Sequence, residues 1–227
     1  MRLCYNIARK YNPNSEVFIS LDRNWTKTHG ENFYASKKLL ELLLDYTEAE
    51  GDFKWGIAHH PYPEELSDPK TWLDKNVDFT YSTPMITFKN IEVLDSWMKR
   101  PEMLYKGKKR RGLWLSEAGI NSPSYSKEDL RNQAAGCAYA WKKIKYLQGV
   151  DAFCWHGWFD MRGEFGLKLG LRRFPDAKHN PGGKKPVWSV FEAAGTVQEK
   201  GVFEPYKEVI GIEDWSDIRY KSDIHQE

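Results

Sequence analysis

The sequence predicts an α/β fold in which short parallel strands are covered by helices. Three observations lead to this prediction. Apolar runs of strand length alternate with segments of helical periodicity, in the order α, βα, βα, βα, βα along the 227 residues. The runs are almost wholly apolar, as parallel strands with both faces covered are. No glycine-rich phosphate loop follows any of them, although a doubly wound sheet stays open as an alternative to a barrel.

The first half of the chain contains two of these strand–helix units after an opening helix. The helical segment 1–11 is ended by the turn-forming "NPNS". A β-rich run then ends at Asp22, and the periodicity of 33–51 predicts a helix, for which Gly51 is the stop signal. "FKWGIAHHPYP" (53–63) is a second short apolar strand that runs into polar residues and proline.

The second half repeats the pattern after a long irregular segment. "GLWLSE" predicts a strand that ends at Glu117. Ser126, with an acidic residue three positions later, resembles a capping box and opens a helix. "VDAFCWHGWFD" (150–160) is the last strong strand, "EFGLKLGLRRF" is interpreted as a hairpin, and a final helix begins at Pro186.

Composition excludes several classes of partner. The net charge of +2 predicts no strong field for nucleic acid or an anionic membrane, and "KGKKRR" (106–111) is interpreted as a solvated loop. No apolar run approaches the roughly 18 residues of a membrane span. The three cysteines show no disulfide or metal spacing, so Cys137 and Cys154 are expected to be buried thiols.

Polar and aromatic side chains follow all four predicted strands. Because the carboxyl ends of parallel strands meet at one edge of a sheet, we expect these side chains to surround a common site. A surplus of aromatic rings also suits a carbohydrate cleft, since sugar C–H faces stack on flat rings. In strand order the residues are Asp22 and Trp25, then His60 and Tyr62, then Glu117, and finally Trp155, His156 and Trp158.

The series H-x-Y, E-x-G and apolar-W at successive strand ends resembles the C-terminal half of TIM-barrel retaining glycosidases of the cellulase and β-galactosidase superfamily. The motif series "HPYP…WLSEAGI…CWHGWFD" is most similar to a little-characterised bacterial branch of these barrels. The resemblance covers roughly residues 1–200 and implies about four βα units, strands five to eight of a (β/α)8 barrel. Residues 201–227 form a tail for which no structure is predicted.

The resemblance implies a role for each residue at the strand ends. Glu117 would be the nucleophile, and a hydroxyl of Tyr62 donating to it would favour the ionised carboxylate. Trp155 would stack beneath the sugar ring. The other residues expected to bind substrate are His60, His156, Asp22, Trp25 and Trp158. No cofactor or metal is implied.

A second carboxyl is missing from this pattern. Retaining glycosidases need an acid/base about 5–5.5 Å from the nucleophile, and in the superfamily it follows strand four, ahead of the helix in which this chain opens. We therefore expect a fragment of a longer, secreted or periplasmic enzyme that cleaves a polysaccharide or oligosaccharide. Alone, the fragment is expected to be inactive and to need its N-terminal half barrel or to self-associate.

Two other functions stay open at this point. A metal-dependent barrel hydrolase would use Asp22, His60, Glu117 and His156 as ligands and would be inactivated by chelators. A non-catalytic carbohydrate-binding half barrel would keep the aromatic cleft without chemistry. In that case Trp155→Ala would weaken sugar binding and Glu117→Gln would hardly change it.

Overall fold

The four expected strands form one parallel sheet. The computed structural model describes residues 1–28, 34–222 and 224. Within them the strand order is β1-β2-β3-β4, and each strand pairs in parallel with the next. The strands are β1 (Val17–Asp22), β2 (Trp55–His60), β3 (Leu113–Ala118) and β4 (Ala152–Trp155). The predicted α/β class with a parallel sheet is confirmed.

Helices connect the strands and carry the local signals that the sequence contains. The helices are α1 (Arg2–Tyr11), α2 (Ser36–Glu50), α3 (Glu92–Trp97), α4 (Lys127–Lys145), α5 (Pro186–Ala193), α6 (Glu199–Phe203) and α7 (Tyr206–Ile210). Gly51 ends α2 with a φ of 86°, a conformation that side-chain-bearing residues rarely adopt. Ser126 caps α4 by accepting a hydrogen bond from the backbone N–H of Asp129. Phe33, the predicted start of α2, lies outside the described residues.

The two faces of the sheet differ in burial. Ile57, Leu113 and Leu115 are fully buried on the face that the helices cover. On the other face Phe18 packs on Trp114 with ring centroids 4.6 Å apart, and Trp114 remains 43% exposed. Cys154 is also exposed, so the expectation of a buried thiol there is wrong. Because successive strand residues point to opposite faces, an apolar strand does not reveal which of its residues is covered.

Apolar side chains are also exposed on α1, the helix that precedes the sheet. Leu3, Ile7 and Tyr11 lie four residues apart on α1 and are 70%, 52% and 80% exposed. Among the described residues β1 pairs only with β2, and β4 only with β3. The sheet therefore has two free edges next to an uncovered face.

Two segments differ from expectation. The hairpin predicted for "EFGLKLGLRRF" does not form, because Arg172 instead makes single bridges to Phe159 and to Lys184. Residues beyond 200 contain α6, α7 and a 3₁₀ turn at Trp215–Ile218, and Phe203 and Trp215 are buried in a cluster with residues of α4 and α5. Residues 223 and 225–227 lie outside the described part. In that part no helix has the length and apolar character needed to cross a membrane.

Candidate active site

Glu117 lies at an irregularity near the carboxyl end of β3. Leu115 pairs with Phe153 and Ala118 with Trp155, so β3 contains one more residue than β4 over this stretch. Such a bulge locally turns the strand and re-aims its side chains. The carboxylate of Glu117 consequently points into a cavity instead of following the alternation of the strand.

Tyr62 donates a hydrogen bond to Glu117, as the resemblance implied. The phenolic oxygen lies 2.9 Å from Oε1 of Glu117, and Tyr62 is only 8% exposed. Burial raises the pKa of Tyr62, and the hydrogen bond to Glu117 and the negative charges of Glu117, Glu164 and Asp22 raise it further. The hydroxyl therefore stays protonated and remains a donor to the carboxylate.

His60 and Asp22 face each other across β1 and β2, where they are direct register partners. Nε2 of His60 lies 3.3 Å from the hydroxyl of Ser20. Asp22 accepts hydrogen bonds from the backbone N–H of Arg23 at 2.7 Å and from the side chain of Asn24 at 3.2 Å. Asp22, His60, Tyr62 and Glu117 all line one cavity of about 360 Å³. The structure thus brings these four predicted residues together.

Glu164 completes the polar lining of this cavity and is a residue that sequence reasoning missed. Its Oε1 lies 3.2 Å from Nε2 of His156, which reaches the site through this contact. The charge of Glu164 is also close enough to Tyr62 to raise the pKa of that phenol. The only signal in the sequence was an acidic residue shortly after the last strand, within a segment that was interpreted as a hairpin.

The three tryptophans expected to bind substrate lie elsewhere. Trp25 is fully buried and its indole N–H donates to the carbonyl of Tyr81, so the expectation that it lines the cleft is wrong. Trp155 donates to the carbonyl of Leu169 and packs against Phe191 of α5, which turns its ring towards the helices. Trp158 is 57% exposed and packs edge-on against Trp188. None of the three is among the residues that line the cavity.

Two nearby polar residues have structural roles. His59 is 1% exposed, Nε2 contacts the carbonyl of Ile86 at 3.0 Å, and burial lowers the pKa of His59 to about 4. The carboxylate of Glu64 accepts hydrogen bonds from the backbone N–H groups of Lys75 and Asn76 at 2.8 and 3.1 Å. Both side chains therefore hold the long loop between β2 and α3.

The ligand set required by a metal-dependent hydrolase is not assembled in the described residues. There, no three His, Cys, Asp or Glu side chains come close enough together to hold a metal ion. His60 contacts Ser20, and His156 contacts Glu164. The cavity instead combines carboxylates with a phenol and an imidazole, which are groups that form hydrogen bonds and take part in general acid–base chemistry.

Comparison with known proteins supports the fold. A family model described as "Family of unknown function (DUF5722)" matches residues 1–218. The structure is similar to a family 39 glycoside hydrolase from the gut symbiont Bacteroides cellulosilyticus WH2, with a TM-score of 0.51 and 17% identity over 87% of this chain. It is also similar to native xylanase 10B from Thermotoga maritima, with a TM-score of 0.50 and 16% identity over 91% of this chain. No curated protein sequence matches the chain.

The similarity covers only part of each of these TIM-barrel glycoside hydrolases. The chain spans 36% of the family 39 enzyme and 52% of the xylanase. At 16–17% identity the likeness establishes the α/β fold alone.

Proposed function

This chain belongs to DUF5722, a family of unknown function, and from that premise we propose that it carries the nucleophile of a retaining glycoside hydrolase. The observation that carries the proposal is the 2.9 Å hydrogen bond from Tyr62 to Glu117 inside a cavity at the carboxyl ends of parallel strands. A donor on one oxygen orients the carboxylate and leaves the other oxygen free to attack. Active sites of barrel enzymes lie at this edge of the sheet.

In the proposed reaction, Glu117 attacks the anomeric carbon of a bound sugar. The bond to the leaving oxygen breaks as a glycosyl ester forms on Glu117, and an acid protonates that oxygen. Water then cleaves the ester and gives its proton back to the same acid/base group. We propose that this group belongs to a strand outside the 227 residues, as the resemblance implies.

The same proposal assigns β1 to β4 to the C-terminal half of a (β/α)8 barrel. Its support is the uncovered sheet face with Phe18 and Trp114, together with the two free edges beside it. In a closed barrel those side chains would fill the interior and the edges would be paired. The fractions covered in the two solved structures, 36% and 52%, suit a partial barrel. The 227 residues alone should therefore associate with a second half or with themselves.

Covalent labelling tests the assignment of Glu117. Full-length protein is incubated with 2,4-dinitrophenyl 2-deoxy-2-fluoro-β-glycosides of xylose and glucose, which form the ester quickly and hydrolyse it slowly. Peptide mass mapping should find one sugar on Glu117, and Glu117→Gln should remain unlabelled. Labelling of another residue would contradict the assignment. Sugar binding that persists without any labelling would make the non-catalytic binding module the correct function.

A further inference from the structure

Phe165 is an aromatic side chain with no place in the core. It is 99% exposed, although it follows directly after Glu164, which lines the cavity of Glu117. Its φ of 50° lies in the left-handed region, which is unusual for a bulky residue. Both exposure of a large ring and an uncommon backbone conformation oppose folding, and such features cluster at ligand-binding segments.

A second cavity adjoins that of Glu117 and shares one of its walls. It has a volume of about 470 Å³. Arg23, Asn24, Leu66, Phe165 and Leu167 line both cavities. The shared lining makes a continuous groove from Glu117 past Phe165. Glu64, Glu65, Ser67 and Met85 line only the second cavity.

The base of the loop that carries Phe165 is held firmly on both sides. Asp160, which is 1% exposed, accepts hydrogen bonds from the backbone N–H of Gly170 and from the ammonium of Lys185, each at 2.9 Å. Its other oxygen accepts one from the hydroxyl of Tyr125 at 2.8 Å. The backbone N–H of Lys168 donates to Asn121 at 2.7 Å. The ring is thus presented by an anchored loop.

Polar groups suited to sugar hydroxyls lie beside the ring. The guanidinium of Arg23 makes only long contacts, 3.5 Å to Asp22 and 3.4 Å to the carbonyl of Glu64. Its Nε is buried and has no hydrogen-bond partner among the described residues. A sugar hydroxyl in the groove would accept a hydrogen bond from the guanidinium of Arg23, which lines both cavities. A flat ring beside unused donors matches the two faces of a sugar, which are apolar across the C–H groups and polar at the rim.

Resting on the proposed function, we propose that Phe165 is the platform of a second sugar-binding subsite. One sugar unit occupies the cavity of Glu117, and the next unit stacks on Phe165 in the adjoining cavity, where Arg23 contacts its hydroxyls. The substrate class is accordingly an oligosaccharide or polysaccharide chain that lies along the groove, and a single glycosyl unit fills only half of it.

The test compares ligands of different length in full-length Phe165→Ala, Phe165→Tyr and Val197→Ala. Val197 is also 99% exposed and lines neither cavity, so it is the matched control. Titration calorimetry measures binding of xylo- and cello-oligosaccharides of two to six units and of the methyl monoglycosides. For oligosaccharides, Phe165→Ala should raise the dissociation constant about tenfold, the size expected for one aromatic stacking contact. Phe165→Tyr and Val197→Ala should match the wild type.

The possible outcomes are distinct. Three results would each overturn the proposed subsite. Phe165→Ala could weaken the binding of monoglycosides and oligosaccharides equally, it could leave the dissociation constants unchanged, or the wild type could bind no oligosaccharide. Failure of the nucleophile assignment appears separately, as fluoroglycoside labelling away from Glu117 while length-dependent binding persists. Chain-length dependence that disappears only in Phe165→Ala would establish the platform.

Discussion

The hydrogen bond between Tyr62 and Glu117 gives a sharp test of the proposed chemistry. Tyr62→Phe removes one hydroxyl and leaves a ring of the same shape in a site that is 8% exposed. The lost bond is 2.9 Å long and its acceptor is a carboxylate. Hydrogen bonds to charged groups contribute about 1.5–3 kcal/mol. Since each 1.36 kcal/mol is a factor of ten in rate, kcat/KM should fall roughly 10- to 150-fold.

The assay follows both turnover of an aryl glycoside and the rate at which a fluoroglycoside labels Glu117. Both rates should fall by a similar factor, because both depend on attack by the same carboxylate. The loss in kcat should be greatest with a poorly activated leaving group, because formation of the glycosyl ester is then the limiting step.

The chain provides a matched control for this substitution. The hydroxyl of Tyr125 donates to the carboxylate of Asp160 at 2.8 Å, outside the cavity of Glu117. Tyr125→Phe removes the same group from the same kind of pair at the base of the loop that carries Phe165. It should lower the free energy of unfolding and change the labelling rate per folded molecule less than Tyr62→Phe does. Equal labelling losses in both variants, or none in Tyr62→Phe, would refute a catalytic role for the Tyr62 hydroxyl.

Three further predictions concern stability and charge. Trp155→Ala should lower the free energy of unfolding by about 3 kcal/mol in urea titration, because the ring packs against Phe191 and donates to Leu169. Unfolded His59 binds a proton near pH 6.5 and the folded form near pH 4, so stability should fall as pH drops through this window. Between neutral pH and pH 4 the wild type should lose roughly 3 kcal/mol more free energy of unfolding than His59→Gln, as measured by urea titration at each pH. Oligosaccharides with uronate groups should bind about tenfold more weakly than neutral ones at low salt, because carboxylates outnumber the one arginine that lines the cavity of Glu117. Calorimetry at high salt should find a smaller difference in dissociation constant, since salt screens the repulsion.

The order of helices and strands was predictable because short-range physics specifies it. Apolar runs mark the strands, which have four to six residues, and local signals such as Gly51 and Ser126 mark helix ends. The hairpin was wrong because alternating Leu167, Leu169 and Leu171 suggest a strand, whereas the chain here makes only single bridges. Leu169 and Leu171 are buried in place of forming an exposed ribbon. Alternation indicates burial of every second residue and does not identify the partner.

The site was predictable only where parallel strands determine direction. His60 and Tyr62 are two apart on an extended segment and both line the cavity, as their spacing implied. Trp25 lies three residues after the end of β1. Because the two-residue periodicity of a strand does not continue into a loop, the sequence does not predict the direction of this side chain. Its burial against Tyr81 depends on the path of the long loop. Glu164 and Phe165 depend on loop geometry in the same way.

Local register explains how a cavity forms on a sheet with free edges. Asp22 and His60 are paired partners on adjacent strands, and Glu117 is aimed by a bulge between β3 and β4. These relations require only neighbouring strands, so β1 to β4 and their loops would form the proposed sugar site. The stability of the sheet is a separate matter. Trp114 and the α1 residues Leu3, Ile7 and Tyr11 are exposed, so their apolar surface adds little to the free energy of folding until another surface covers it. A ligand that binds only the folded sheet at 100 times its dissociation constant adds about 2.7 kcal/mol of stability. Occupation of the proposed groove by an oligosaccharide would therefore stabilise the sheet even in the absence of the proposed acid/base.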